Sequence, residues 1–237
     1  MRIAILTTDT KHHNYFINKV DKKHDIACVV YEKRKCVKSY KTGPFFDKEQ
    51  DFYEEKFFQN GVSSELSENL KRKTINIYSV NCKAFQRYLE YLNVDLAVSF
   101  GVGLIKDYIF KTPRHGIINM HRGISESYRG MESDLWAIYN RDFENLGVTI
   151  HFVDETLDTG FILAKQNFKI EKNDEIYHLR YKWSILGTEL IEKILNDFET
   201  YKNNSTKQKR LGKYYSIMPI DKKYKTLQIF NEHKKTI

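Results

Sequence analysis

Proline is scarce in this chain: the 237 residues include only three. A long proline-rich linker is therefore not expected, and no low-complexity tract or internal repeat interrupts the sequence. Cysteine is equally sparse. Cys28, Cys36 and Cys82 are odd in number and show no CxxC spacing. That argues against a disulfide framework or a cysteine-based zinc site, and for a reducing, cytoplasmic setting. Long apolar runs are missing too. No stretch approaches the ~20 residues that a membrane-spanning helix needs, so no membrane partner is expected. The opening MRIAILTT turns polar too soon for a secretory signal and reads as a buried strand.

What is present is ordinary globular material, 41% hydrophobic and 30% charged, enough to build a sizeable core. The net charge of +8 is spread along the chain, with some excess at Lys207, Lys209, Arg210, Lys213, Lys222 and Lys223. Two readings fit it, a solvated surface or attraction of a phosphorylated substrate or nucleic acid. His12-His13 has no third ligand at matching spacing and reads as a surface pair, with no metal.

Apolar patterning places strands at residues 1–8, 25–31, 75–80, 95–100, 116–120 and 147–153. Helices are expected at 14–22, 81–92, 132–140 and 175–197. Residues 32–65 read as loop and broken helix. Strands alternating with helices predict an α/β, Rossmann-like, mainly parallel sheet with helices on both faces. The polar run 203–209 marks a boundary between a main domain, 1–202, and an extension, 203–237. In the extension, residues 214–218 and 224–230 are expected to pair as a short C-terminal hairpin.

Residues 116–160 carry the chemistry: GIINMHRGISESYRGMESDLWAIYNRDFENLGVTIHFVDETLDTG. In α/β sheets, ligands bind at the carboxyl ends of strands. Asn119 and His121 end the strand GIINM two residues apart, so in extended chain their side chains share a face. Asp158 follows the strand GVTIHFV in a DTG turn. An amide, an imidazole and a carboxylate suit acyl transfer to an amine. Asn119 can donate to the oxyanion of a tetrahedral carbon, a contact worth roughly 3 kcal/mol. His121 can stabilise that charge or shuttle the amine's proton. Asp158 can orient the imidazole, raise its pKa and hold a relay water. His151 points into either the core or the cleft.

This segment resembles the catalytic core of the folate-dependent formyltransferases, the family of glycinamide ribonucleotide transformylase, methionyl-tRNA formyltransferase and the sugar-nucleotide N-formyltransferases. The likeness rests on Asn119, His121, Arg129-Gly130, Trp136-Ala137-Ile138, Gly147-Val148-Thr149 and Leu157-Asp158-Thr159-Gly160. One departure stands out. Where many relatives continue with Pro-Ser-Leu-Leu-Pro, this chain has Arg122-Gly123-Ile124-Ser125-Glu126. The resemblance implies an enzyme with catalytic Asn119, His121 and Asp158 and with 10-formyltetrahydrofolate as donor. It places the pterin against Ser99, Phe100, Gly101, Val102, Gly103 and Leu104, and against Asp154.

The acceptor follows by exclusion within the family. The stretch Thr7-Thr8-Asp9-Thr10-Lys11-His12-His13 lacks the glycines of a phosphate loop. About 28 residues follow Lys209, short of an OB-like tRNA domain. A nucleotide-linked amino-deoxysugar remains, of the dTDP-4-amino-4,6-dideoxyglucose type used for lipopolysaccharide O-antigen. Tyr128, Arg129 and Trp136 are the candidate substrate contacts, Arg for a pyrophosphate and the aromatics for a base or sugar face. A homodimer joined through the hairpin is expected. The alternatives are a methionyl-tRNA formyltransferase-like enzyme, an inactive binder of folate or nucleotide sugar, and an RNA-binding protein built on the basic C-terminal residues.

Overall fold

The computed structural model describes residues 1–33, 37–58 and 65–237; Cys36 and part of the 32–65 stretch lie outside them. The apolar opening forms β1 (Arg2–Thr7), the third strand across a seven-stranded sheet. Parallel to it on one side run β2 (Asp25–Glu32) and β3 (Thr74–Ile77). On the other side run β4 (Leu96–Ser99) and β5 (Ile117–Arg122), also parallel. A short strand, β6 (Tyr128–Gly130), stands apart from this sheet. Two further strands, β7 (Gly147–Phe152) and β8 (Ile162–Asn167), complete the order β3-β2-β1-β4-β5-β7-β8 and are antiparallel to their neighbours. The sheet is thus mainly parallel. The edge strand β8 carries no expected pattern, because only its first residues, Ile162 and Leu163, are buried.

Alternation along β1 sends side chains to two cores. Ile3 and Ile5 face α1 (Lys11–Asp21) and α7 (Leu179–Asn196), packing with Phe16, Ile17, Val20, Ile191 and Ile194. Ala4 and Leu6 face α4 (Lys83–Tyr91) and α5 (Asp107–Phe110), packing with Phe85, Leu89 and Ile109. Among the described residues, the stretch read as loop and broken helix contains one helix, α2 (Asp47–Phe58), and the short α3 (Glu68–Arg72) follows the stretch. No helix among the described residues is long and apolar enough to cross a membrane.

Two expectations are corrected. The C-terminal hairpin does not form. Lys213–Tyr215 is a strand, β9, but it pairs in parallel with β6, while residues 224–230 lie inside the helix Ile220–Lys234. The buried residues of that helix, Lys223, Thr226, Ile229 and Phe230, fall at helical spacing, which outweighs the short aromatic and apolar alternation. The dimer contact assigned to a hairpin loses its element. Met218, Ile229 and Phe230 instead share a core with Tyr128, Leu135, Trp136 and Leu146 around α6 (Ser133–Tyr139).

The second correction concerns His12 and His13, which are buried rather than on the surface. Their rings pack with Phe100 and Trp183 at centroid distances of 4.2 to 5.7 Å. Burial lowers both pKa values well below the ordinary histidine range.

Candidate active site

Strand register assembles the site. Ser99 of β4 sits opposite Asn119 of β5, and Asn119 in turn sits opposite His151 of β7. The Ser99 hydroxyl donates to Asn119 Oδ1 at 2.9 Å, which turns the Asn119 Nδ2 donor outward. That nitrogen lies 3.2 Å from His151 Nε2 and donates to Asp158 Oδ1 at 3.4 Å. His151 Nδ1 donates to the Phe152 carbonyl at 2.8 Å, so in the neutral ring Nε2 carries the lone pair. His151 therefore faces the cleft.

Asp158 is the hub. It adopts φ +56, in the left-handed region that non-glycine residues seldom enter. Its Oδ2 accepts the Gly130 backbone N–H at 2.7 Å. Its Oδ1 lies 3.5 Å from His121 Nδ1 and 3.4 Å from His151 Nε2. Burial alone pushes the carboxyl up, but the two imidazoles and the Gly130 N–H outweigh it, and the net displacement is downward. Asp158 is thus a buried carboxylate that stays ionised.

His121 does not line the cleft. It is buried just behind the cleft, with Nε2 donating to the Tyr128 carbonyl at 2.8 Å and Nδ1 turned to Asp158. Burial lowers its pKa, partly opposed by Asp158, so the resting ring is neutral. A proton taken up at Nδ1 would meet the Asp158 carboxylate. Of these side chains, Asn119, His151 and Asp158 border the cleft itself.

A cleft beside these groups is lined by Ser99, Val102, Gly103, Leu104, Ile105 and Asn119, and across from them by His151, Val153, Asp154, Leu157 and Asp158. Four of the six residues named for the pterin side, and Asp154, border it. Phe100 and Gly101 do not: the Phe100 ring packs among His12, His13 and Trp183, and Gly101 lies against His13. The wall formed by residues 102–105 is held by two side chains. Glu32 accepts the Gly103 N–H at 3.0 Å and the Val80 N–H at 3.1 Å, while Asn81 donates to Leu104 O and accepts from Lys106 N, both at 2.7 Å.

The three candidate substrate contacts are engaged elsewhere. Tyr128 is buried and its hydroxyl donates to Asp142 at 3.0 Å. Trp136 stacks on Tyr215 at 4.7 Å and donates from Nε1 to the Ser216 carbonyl. Arg129 donates to Gly212 O at 2.6 Å and to Leu157 O at 3.0 Å. All three dock the segment 212–216 or brace the Asp158 loop, and none lines the cleft.

Sequence reasoning left His151 undecided and missed Glu32 and Gln208. For His151 the missing information was the antiparallel register that sets it opposite Asn119. Glu32 and Gln208 act on backbone atoms distant in sequence and carry no local signal.

A mainly parallel α/β sheet presenting an amide, two imidazoles and a buried carboxylate around one cleft is suited to acyl transfer. The formyl transferase family model matches residues 1–195, and the chain belongs to that family. Among curated relatives, the methionyl-tRNA formyltransferase of Finegoldia magna is 32% identical over 136 residues, covering 55% of this chain and 44% of the relative. The corresponding Wolbachia protein is 38% identical over 122 residues, 51% of this chain and 40% of its own length. The chain thus spans less than half of the length of either relative. Among solved structures, a sugar N-formyltransferase from Shewanella superposes with TM-score 0.63 at 17% identity, covering 97% of this chain and 88% of that one. A 4-N formyltransferase from Francisella tularensis gives TM-score 0.63 at 17% identity, covering 98% and 87%.

Proposed function

We propose that this protein transfers a formyl group from 10-formyltetrahydrofolate to the amine of a nucleotide-linked amino-deoxysugar, of the dTDP-4-amino-4,6-dideoxyglucose type that feeds O-antigen. The observation that carries the formyl-transfer step is the convergence of Asn119, His151 and Asp158 on one cleft, with His121 behind them on the same carboxylate. The donor fits the residues present: Val102, Leu104, Ile105, Val153 and Leu157 give apolar walls, and Asp154 gives a polar edge. Ser99, Val102, Gly103, Leu104 and Asp154 would hold it, and it would supply an activated formyl carbon.

The protein's own groups then act as follows. Asn119 Nδ2 donates to the negative charge that grows on the formyl oxygen, with Ser99 keeping the amide turned that way. His151 Nε2, with Nδ1 tied to the Phe152 carbonyl, lies at the cleft within reach of the attacking amine's proton. Asp158 supports whichever imidazole becomes charged, and the buried His121 stands as the second proton acceptor on the same carboxylate.

Support for a sugar acceptor comes from the near-complete overlap with a structure described as a sugar N-formyltransferase. A second acceptor, a charged tRNA, is favoured by the sequence relatives, which are methionyl-tRNA formyltransferases. The deciding experiment offers dTDP-, UDP- and GDP-linked amino sugars and methionyl-tRNA with 10-formyltetrahydrofolate and follows folate release. Turnover with a sugar nucleotide is expected. Turnover with tRNA alone would replace the acceptor, and no turnover with any would remove the reading.

A further inference from the structure

The run of residues 203–209, which reads as a polar boundary, contains the side chain that touches the Asp158 turn most closely. Gln208 Nε2 donates to Asp158 O at 2.8 Å and to Gly160 O at 3.1 Å. Arg129 Nη1 donates to Leu157 O from the other side, while Arg129 Nε is tied to Gly212 O. Two side chains thus hold three carbonyls of the turn. We infer that Gln208 and Arg129 are positioning residues that fix the Asp158 turn, and that the segment around Gln208 is a working part of the active site. The inference rests on the role given to Asp158 above.

Four observations carry it. First, Asp158 sits at φ +56, in the left-handed region, which aspartate tolerates better than most residues but at some cost that outside bonds help meet. Second, Gln208 is itself anchored on both flanks. Thr206 and Ile162 exchange backbone hydrogen bonds at 2.8 and 2.9 Å, and the Lys209 N–H donates to Glu126 Oε1 at 2.7 Å. Third, the Gln208 amide has one usable orientation. Both hydrogens of Nε2 meet carbonyls, and turning the amide over would set its oxygen against them. Its Oε1 remains buried without a hydrogen-bond partner, a cost that the two donated bonds outweigh. Fourth, the carboxylate end of Asp158 is held by Gly130 N–H, next in sequence to Arg129. A Cβ built on Gly130 would lie 2.1 Å from Tyr215 O, so β6 and the C-terminal segment are pressed together at this point.

The geometry therefore links residues 206–215 to the carboxylate that faces both imidazoles. A misplacement of about 1 Å in such a group costs on the order of a hundredfold in rate. A purely structural role for Gln208 would change melting temperature and leave the carboxylate where it is.

The test uses Gln208→Met, which keeps the side-chain length and removes both donors, with Lys207→Ala as the control in the same segment. Three quantities are read: kcat with both KM values, hydrogen exchange of the Gly130 amide, and the NMR titrations of His121 and His151. For Gln208→Met, kcat is expected to fall ten- to a hundredfold, roughly, with both KM values within about twofold. Gly130 exchange should quicken at least about tenfold as its bond to Asp158 loosens. The His121 titration should move to lower pH as the carboxylate withdraws, with Arg122 and His151 still beside it. Wild-type kcat, exchange and titrations in the variant would overturn the inference. So would a lowered melting temperature with unchanged Gly130 exchange and titrations. If Gln208→Met fails to fold, Arg129→Lys, which cannot reproduce both Arg129 bonds, decides by the same measurements. A wild-type protein that formylates no acceptor would refute the proposed reaction, while exchange and titration would still decide the clamp.

Discussion

Asp158→Asn tests the site most directly, because it alters charge with almost no change in shape. The asparagine Oδ1 can still accept the Gly130 N–H that Asp158 now accepts at 2.7 Å, so the turn keeps its anchor. What is lost is the negative charge 3.5 Å from His121 Nδ1 and 3.4 Å from His151 Nε2. At an effective dielectric of ~20, a charge pair at that separation attracts by about 5 kcal/mol. Rearrangement and water entry return part of this, leaving about 3 kcal/mol on the charged imidazole. That corresponds to roughly two pH units on its titration and about a hundredfold in a step that needs it charged. The new amide N–H also aims a donor at the imidazole lone pairs, which holds the rings neutral.

The assay is kcat against pH from about 5 to 9 by folate release, with thermal unfolding alongside. We expect kcat to fall ~100- to 1,000-fold and the acid limb to move to lower pH. Unfolding also reads the sign of the charge coupling. The Asp158 carboxyl is held below its unfolded value, so its stabilisation is complete above pH ~4 and is lost as the pH falls through the folded value. The wild type should therefore lose more stability than Asp158→Asn on going from pH 5 to 2. A variant with kcat within fivefold of wild type, an unmoved acid limb and a parallel acid unfolding curve would refute the reasoning.

Two further substitutions probe the neighbours. Asn119→Ala removes the donor aimed at the growing oxyanion and should lower kcat by about 10²- to 10³-fold. The folate KM should change little, and a kcat loss below fivefold would remove Asn119 from the chemistry. Gly130→Ala forces a Cβ to within 2.1 Å of Tyr215 O at φ +93, so the β6–β9 pairing must separate. A destabilisation above about 2 kcal/mol is expected, read as the denaturant midpoint, and an unchanged midpoint would contradict the register.

The parallel part of the sheet is legible because its strands are short apolar runs bounded by turn residues, as in DIACVVY and DLAVSF. Asn119 and His121 are legible because side-chain alternation is local. The antiparallel β7 and β8 are less so, since strand direction is set by the connection and not by composition. In the tail, residues 224–230 alternate well enough to suggest a strand, and only burial of Lys223, Thr226, Ile229 and Phe230 on one face makes the helix evident. Lys223 adds to the disguise: it is a buried cation, paired with Glu132 at 2.6 Å, where the sequence suggests surface charge. Tyr128, Arg129 and Trp136 look like ligand contacts because they flank the triad, yet their partners, Asp142, Gly212 and Tyr215, become visible only when the chain is folded.

The direction of β7 explains why the site depends on so much backbone bracing. Had β7 been parallel to β5, its carboxyl end would have delivered Asp158 to the side of Asn119 and His121 directly. It runs the other way: Phe152 sits opposite Ile118, and the Val153 N–H donates to Ile117 O at the start of β5. The chain must then double back over the sheet face before returning at Phe161, whose carbonyl accepts the Phe152 N–H at 2.9 Å. Asp158 is the point of that excursion that reaches the imidazoles, and it does so with left-handed backbone. An excursion of this kind has no ladder hydrogen bonds of its own to fix it. Asp154, Thr156 and Thr159 bond within it, and Arg129, Gln208 and Gly130 tie it to the rest of the protein. The Asp158 carboxylate is therefore placed by β6 and the C-terminal segment, and loss of the Gln208 donors should alter turnover more than folding.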